Sequence, residues 1–402
     1  MKRILILIFF LIGVFPSSIL ASEEKIAFVR DGNVYLLHGK KELQITEGGN
    51  AFSPQWSSNG RKLSYSTHEG EQTGLWVYDI ESKEKKQVFY DAYQPLWAPS
   101  SDHIAFLQHS VLDISDLNGF SNVSLGVDSY TWHPSGEGFI LSSAANLLPT
   151  GWTTPILYKK KIAKPFADIK LFENVEPLFT IPHKVGGKEK DAVLAISASH
   201  LTFSPSRKWL SFLVSPTASW AMDQNKVCVL GENGDQFQVL GDVIHQVGAP
   251  KWAPTKDILA FIEGQGRIVY GFKDKKLSVK EMPATGTLTP DPFSDLDFDW
   301  IDDSSLVTSR VEEREWSNDP KEHPLPKLYT VDILSGKNKQ ITDPPRGHGD
   351  YSPQYAASLN KIIWFRGKSI MDRERDVWMA DIDGENSRLW LEDVEEISIY
   401  EN

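Results

Sequence analysis

The chain has 402 residues, of which 41% are hydrophobic and 24% are charged, and its formal net charge is −12. This length and composition are typical of a globular protein with a substantial core, arranged as one large domain or as two to three ordinary ones. The acidic balance argues against a general nucleic-acid binder, because such proteins present a basic patch to the phosphate backbone.

The N-terminal residues 1–21 have the pattern of a secretory signal peptide. Lys2 and Arg3 precede an apolar run over residues 4–15, and Ala21 ends a segment suited to cleavage. The run is shorter than the roughly 20 residues of a membrane span, so we expect no transmembrane segment after cleavage. An uncleaved anchor is the alternative. We predict an exported protein, in the periplasm, at the cell surface or outside the cell, with a mature domain at residues 22–402.

The single cysteine, Cys228, lies in the apolar run KVCVL. It is interpreted as a small core residue. A protein with one cysteine has no intrachain disulfide, so its stability must come from packing.

A repeated motif occupies residues 54–365. In each copy an aromatic residue ends a short strand, a turn rich in Pro, Ser, Asn, Asp or Gly follows, and a second strand begins. Several copies continue into a third strand that ends in aspartate, and then into a fourth strand. Four antiparallel strands in repeats of about 40 to 50 residues predict the blades of a β-propeller. The seven aromatic anchors are Trp56, Trp97, Trp132, Phe203, Trp252, Trp300 and Tyr355.

The two ends of the repeat region predict how the ring closes. Naming the strands of a blade A to D from the channel outwards, residues 26–46 read as strands B, C and D without a strand A. Residues 396–400 form a spare strand that would complete this blade and remove two free sheet edges. We therefore predict an all-β, single propeller of eight blades. Seven blades is the alternative, because residues 142–199 are irregular.

The copies WAPSSDHIAF (97–106) and WAPTKDILAF (252–261) resemble the TolB-type, WD40-like PD40 repeat. This resemblance implies a propeller over most of residues 26–392, here without the N-terminal α/β domain that TolB carries. Related propellers occur in peptidases with a separate hydrolase domain and in polysaccharide lyases that hold a metal with histidines. The chain has no Gly-x-Ser-x-Gly motif. The resemblance is specific for the architecture and not for an activity.

Topology predicts which loops share a face. The B–C loops and the D–A links of a propeller emerge on one side, and the longest B–C loops are residues 143–155, 215–225, 311–327 and 367–376. We predict a partner- or ligand-binding face there, because loops on a rigid scaffold usually carry function. The alternative is that each tryptophan folds back into its own loop. The candidate contact residues in these loops are Trp152, Trp220, Met222, Trp316 and Met371.

Polar candidates lie on the D–A links and the strand starts near the channel mouth. They are His245, His348 and Asp350, with Asp295, Asp297 and Asp299 alternating opposite Leu296, Phe298 and Trp300. Three like charges on one strand face would repel unless they were solvated or shared a cation. The aspartates are thus weak candidates for a divalent-cation site, and a solvated strand end is the simpler interpretation.

The predicted function is a binding scaffold that engages a protein, a peptide or a cell-envelope glycan as a monomer. No catalytic residue and no cofactor is assigned. The alternative is a polysaccharide lyase or hydrolase with a metal site at the channel mouth, which would require convergent histidine and carboxylate ligands.

Overall fold

The computed structural model describes residues 25–162, 166–186, 192–245, 247–267, 272–282, 286–333, 335–373 and 375–401. These residues form eight four-stranded antiparallel sheets, numbered blades 1 to 8 around the ring. The predicted β-propeller is confirmed, and it has eight blades rather than seven. The predicted signal peptide, residues 1–21, lies outside the described residues.

The strands of each blade run from strand A at the channel to strand D at the outside. Blade 1 has β36 (Glu396–Ile399), β1 (Ile26–Arg30), β2 (Asn33–His38) and β3 (Lys41–Gln44). Blade 2 has β4 (Ala51–Trp56), β5 (Lys62–Glu69), β6 (Gln72–Asp79) and β7 (Lys85–Phe89). Blade 3 has β8 (Tyr93–Trp97), β9 (Ile104–Gln108), β10 (Val111–Ser115) and β11 (Phe120–Leu125). Blade 4 has β12 (Ser129–Trp132), β13 (Gly138–Ser142), β16 (Ile156–Lys161) and β17 (Val175–Thr180).

The second half of the ring repeats this order. Blade 5 has β20 (Ser197–Phe203), β21 (Trp209–Ser215), β22 (Asn225–Gly231) and β23 (Gln238–Val243). Blade 6 has β24 (Lys251–Trp252), β25 (Ile258–Glu263), β26 (Lys276–Glu281) and β27 (Gly286–Thr287). Blade 7 has β28 (Phe293–Asp302), β29 (Ser305–Glu312), β30 (Lys327–Asp332) and β31 (Asn338–Gln340). Blade 8 has β32 (Gly349–Ala356), β33 (Lys361–Gly367), β34 (Arg375–Ala380) and β35 (Arg388–Val394).

Short elements outside the blades account for the irregular region and some of the loops. They are the pair β14 (Leu147–Leu148) and β15 (Gly151–Trp152), the pair β18 (Lys184–Val185) and β19 (Val193–Leu194), the helix α1 (Ala218–Ala221), and 3-10 turns at Phe166–Asp168 and Pro320–Glu322. In the described part of the chain, no helix is long and apolar enough to span a membrane.

The C-terminal strand closes the ring as the sequence predicts. β36 pairs antiparallel with β1, with Ile26 opposite Ile399 and Val29 opposite Glu396. The first blade is therefore built from both ends of the described chain, and the edge of β1 that would otherwise be free is paired with β36.

The tryptophan anchors are explained by a hydrogen bond that repeats between neighbouring blades. Each indole N–H donates to the backbone carbonyl of the residue just before the anchor position of the preceding blade. A tryptophan at this position therefore adds apolar packing and satisfies a carbonyl of the neighbouring blade. The pairs are Trp56 to Ser398 (3.3 Å), Trp97 to Gln55 (3.2 Å), Trp132 to Leu96 (3.0 Å), Trp252 to Thr202 (3.1 Å) and Trp300 to Lys251 (3.1 Å).

Packing between blades forms the core. The ring centroids of Phe89 in blade 2 and Phe106 in blade 3 are 4.9 Å apart, and Phe365 of blade 8 packs in one cluster with Phe28 of blade 1. Cys228 is fully buried with a free thiol, which confirms its interpretation as a core residue.

Strand A carries a recurring irregularity toward its start. The residue three positions before the anchor has a positive φ of 51° at Ser53, 50° at Gln94, 54° at His200 and 48° at Ser352, and the strand pairing shifts register there. A bulge breaks the simple alternation of side chains, so residues on either side of it need not share an environment.

Candidate functional site on the loop face

The strand order places the long loops on one face of the ring, which we call the loop face. The four predicted segments each connect strand B to strand C of blades 4, 5, 7 and 8. A fifth long connection, residues 264–275 of blade 6, belongs to the same set and was not predicted from the sequence.

Large apolar side chains are exposed on these loops. Trp220 on α1 is 72% exposed and Met371 is 71% exposed, whereas Met222 and Trp316 are each 38% exposed. Trp152 is half-buried, because it pairs with Leu147 in the two-stranded β14–β15 sheet. The tryptophans therefore differ: Trp220 projects into solvent, and Trp152 and Trp316 are partly covered by the loops.

Contacts join the loops of blades 5 and 6. The Arg267 guanidinium donates to both carboxylate oxygens of Asp223 at 2.8 and 2.9 Å, and to the Ser219 carbonyl at 2.9 Å. Gly266 N–H donates to the Asp223 carbonyl at 2.9 Å. Arg267 holds the pKa of Asp223 below its ordinary value, so the pair is charged at neutral pH. These bonds hold α1, and with it Trp220, against the next blade.

A second set of contacts joins blade 6 to blade 7. Trp316 lies against Gly266, where a Cβ atom would come within 2.8 Å of its indole ring. Lys273 forms an ion pair with Glu315 at 3.2 Å, and Asp274 N–H donates to Glu313 at 3.1 Å. The loops of blades 5, 6 and 7 therefore form one connected surface.

The two histidine candidates lie in different surroundings. His245 Nε2 is 3.2 Å from Ser215 Oγ, and its ring centroid is 5.9 Å from that of His200, a residue that sequence reasoning did not single out. Burial lowers the pKa of both His200 and His245, and His245 lowers the pKa of His200 further. His348 lies in the link to β32, and its Nδ1 is buried without a hydrogen-bond partner.

Asp350 is fully buried and is not available at the loop face. Its two carboxylate oxygens accept from Arg366 at 2.7 and 3.0 Å. The predicted contact role does not fit this placement, because the side chain is enclosed within blade 8.

The three alternating aspartates lie in three different environments. Asp295 is fully buried and paired with Arg310 at 2.7 and 2.9 Å. Asp299 accepts from Tyr355 N–H at 2.9 Å and from Lys251 at 3.3 Å. Asp297 accepts from Phe298 N–H at 2.8 Å, and burial raises its pKa. A register shift between Asp295 and Asp297 separates them, whereas Leu296, Phe298 and Trp300 are buried in one cluster.

Among the residues that the structure describes, no group of three or more His, Cys, Asp or Glu side chains is placed to hold a metal ion. Asp295 is already neutralised by an arginine, so the arrangement of the aspartates is that of a structural network.

Comparison with known proteins identifies the class of protein by its fold. No protein-family model matches the sequence, and no curated protein matches it significantly. The structure is similar to that of a eukaryotic initiation factor, with 11% identity, a TM-score of 0.57, and coverage of 94% of this chain and 91% of the other. It is also similar to the dihydro-heme d1 dehydrogenase NirN, with 12% identity, a TM-score of 0.57, and coverage of 94% and 74%.

TolB from Acinetobacter baumannii also aligns, with 15% identity and a TM-score of 0.39 over 66% of this chain. The chain spans 62% of the length of that TolB chain. At these identities the likenesses show the β-propeller fold alone, and the link to the TolB-type repeat remains a resemblance of sequence motifs.

Proposed function

We propose that this protein is an exported β-propeller scaffold that binds a protein or peptide through the loop face. The observation that carries the proposal is Trp220, a large aromatic side chain that is 72% exposed on a helix held in place by Arg267. An exposed aromatic on a fixed backbone loses little conformational freedom when it is covered by a partner.

The neighbouring side chains support the same proposal. Met222 and Met371 are exposed on the loop face, and methionine and aromatic residues are enriched in the cores of protein interfaces. Leu147 and Leu148, which are 65% and 48% exposed on the β14–β15 hairpin, extend the apolar content of this face to blade 4. A cell-envelope glycan is the other partner class, since aromatic rings also pack against sugars.

The experiment is photo-crosslinking in native cells, with a photoreactive amino acid in place of Trp220. The matched control places the same group at Phe120, which is 52% exposed at the start of β11 on the opposite face of the ring. A discrete adduct at position 220 but not at 120 is expected, and Met222→Ala should weaken it. Equal labelling at both positions, or none at 220, contradicts the proposal, and an adduct digested by glycan hydrolases rather than proteases assigns the glycan class.

Export rests on the N-terminal pattern of Lys2, Arg3, the apolar run over residues 4–15 and Ala21. Mass spectrometry of the protein from fractionated cells should find a mature N-terminus at Ser22 in the exported fraction. An intact N-terminus in the cytoplasmic fraction contradicts this part of the proposal.

A further inference from the structure

Buried polar atoms without hydrogen-bond partners are concentrated in blade 8. Among the described residues, seven side-chain N or O atoms are in this state, and five of them belong to blade 8 and the link that leads into it. Buried polar groups in native proteins are nearly always bonded to protein, water or a ligand, so this end of blade 8 offers several polar atoms to a bonding partner from outside the chain. The five atoms are His348 Nδ1, Trp364 Nε1, Arg375 Nε, Arg375 Nη1 and Trp378 Nε1.

Arg375 is the charged member of this group. It is the first residue of β34, at the end of the strand that emerges on the loop face. Its guanidinium lies over two aromatic rings, with its carbon 4.7 Å from the Phe365 centroid and 5.8 Å from the Tyr351 centroid. In the described part of the chain, the side chain of Arg375 takes part in no ion pair, and its Nε and Nη1 atoms have no hydrogen-bond partner. Burial of an arginine that stays charged, with no carboxylate bonded to it, disfavours the unliganded state.

The backbone around Arg375 is shaped to hold this side chain. A Cβ atom on Gly367 would come within 2.8 Å of Arg375 Cγ and 2.9 Å of Cδ, so only glycine leaves room for the aliphatic part of the arginine. Gly367 pairs with Gly349, the residue that follows His348. The orphaned nitrogen of His348 therefore lies at the same end of blade 8 as Arg375.

The charged groups that act on Arg375 are Asp372 and Asp297, and both are engaged elsewhere. Asp372 accepts from Lys368 N–H and Ser369 N–H at 2.8 and 2.9 Å, and Asp297 accepts from Phe298 N–H at 2.8 Å. Neither lies within ion-pair distance of the guanidinium. Neither carboxylate therefore neutralises the guanidinium through a direct hydrogen bond.

We propose that blade 8 binds a carboxylate-bearing ligand at Arg375, at the loop-face end of β34. The planar guanidinium, which lies over the rings of Phe365 and Tyr351, would donate two parallel N–H bonds to one carboxylate, a geometry that lysine does not provide. His348 supplies a further polar atom at this end of the blade. The site is separate from Trp220, so it does not depend on the proposed function.

The test is a titration of the full chain with acetate and benzoate, observed through the Nε–Hε signals of nitrogen-15-labelled arginine. The Arg375 signal, assigned by its loss in Arg375→Gln, should shift and saturate with both carboxylates. Chloride at equal ionic strength should leave it in place. Binding measured by calorimetry should weaken at least tenfold in Arg375→Gln and remain unchanged in the matched control Arg373→Gln, an exposed arginine two residues away.

Two further variants keep the outcome decisive. Arg375→Lys retains the charge but lacks the planar pair of N–H donors, so it should also weaken acetate binding. Gly367→Ala should weaken binding by displacing the arginine while all charges remain. An Arg375 signal that does not saturate, equal binding in Arg375→Gln, or phosphate bound as tightly as acetate would each overturn the carboxylate site. If Arg375→Gln does not fold, the lysine variant and the wild-type signal decide the question.

Discussion

Six blades differ from the other two in the residue five positions before the anchor, which lies in strand A or just before it. In blade 1 the anchor position is Ile399, which pairs with Ile26 as Trp56 pairs with Leu63 in blade 2. Blades 7 and 8 place an aspartate at this position, and each aspartate is opposite an arginine of strand B: Asp295 with Arg310, and Asp350 with Arg366. The other six blades place a small apolar residue there: Val394, Ala51, Ala92, Val127, Ala198 and Val247.

All eight residues are buried, so the position belongs to the core in every blade. What differs is that two neighbouring blades hold an ion pair where the others hold a methyl or isopropyl group. Arg310 and Arg366 lie at the ends of β29 and β33, just before the loops that carry Trp316 and Met371. We interpret the ion pairs as fixing the strand ends from which these two loops start, because a buried pair with satisfied hydrogen bonds has few alternative arrangements.

The largest effect is expected from breaking the buried pair in blade 7. Arg310→Met leaves the Asp295 carboxylate buried without its cation, because both side chains are at most 1% exposed. The free energy of unfolding should fall by about 3–5 kcal/mol. Denaturant unfolding measures this. Arg366→Met in blade 8 is the matched comparison. It should lower the free energy of unfolding by less than Arg310→Met, because Arg366 is 10% exposed. A loss below about 1 kcal/mol in Arg310→Met would show that the pair is not structural.

Replacing both partners should have a smaller effect than replacing one. Asp295→Val with Arg310→Leu gives blade 7 the apolar pattern of the six other blades, and apolar replacements of buried ion pairs are often neutral or stabilising. We expect the double variant to lie within about 1 kcal/mol of the wild type in the same denaturant assay. If it is as unstable as Arg310→Met, the surroundings of blade 7 require the charges, and the comparison between blades does not hold.

Asp113 in blade 3 is a buried carboxylic acid without an arginine partner, and it allows the effect of such a group on stability to be measured. Its Oδ1 accepts from Asn122 at 2.5 Å and its Oδ2 has no partner, and burial raises its pKa to about 6. Because the folded state then holds a proton that the unfolded state releases above pH about 4, stability should fall as the pH rises from about 4 to 6. Asp113→Asn removes this penalty.

The stability gained by Asp113→Asn over the wild type should therefore grow between pH 4 and 7, to about 2 kcal/mol. Urea unfolding of both proteins across this range measures it. Glu71→Gln, at an exposed site, is the control and should leave the pH profile unaltered. A constant difference between Asp113→Asn and the wild type would mean that the carboxyl is ionised throughout the range.

The sequence was sufficient for the ring because the features that build it are local and repeated. An aromatic anchor, a turn and an apolar residue recur in seven copies, and the five copies with a tryptophan anchor form the same indole hydrogen bond. Chain order then decides which loops share a face. The sequence did not predict the long loop of residues 264–275, because this loop carries no tryptophan and follows a motif copy without a clear third strand.

The polar interactions depend on contacts between distant residues. Alternation placed Asp295, Asp297 and Asp299 on one strand face, but their partners Arg310 and Lys251 come from other strands, and a bulge divides the series. Arg267 lies 44 residues from Asp223 in the chain. Nothing in the spacing of charged residues indicates which pairs a ring of blades brings together, so the candidate site could be located to a face but not resolved into contacts.

The smallest effect on global stability is expected where a loop is held from outside the blade. Blade 5 has Ala198 at the position of the buried aspartates, and its helix α1 is held by the partly exposed pair of Arg267 and Asp223. Arg267→Ala should therefore change the free energy of unfolding by less than about 1 kcal/mol. Amide hydrogen exchange should nevertheless quicken over residues 217–224 while the β21 and β22 amides keep their protection, since local opening is governed by local contacts. Unchanged exchange in this loop would show that Trp220 is positioned without Arg267. Faster exchange throughout blade 5 would show that the surface pair stabilises the whole blade, as the buried pairs stabilise blades 7 and 8. The surface pair and the buried pairs would then have the same role.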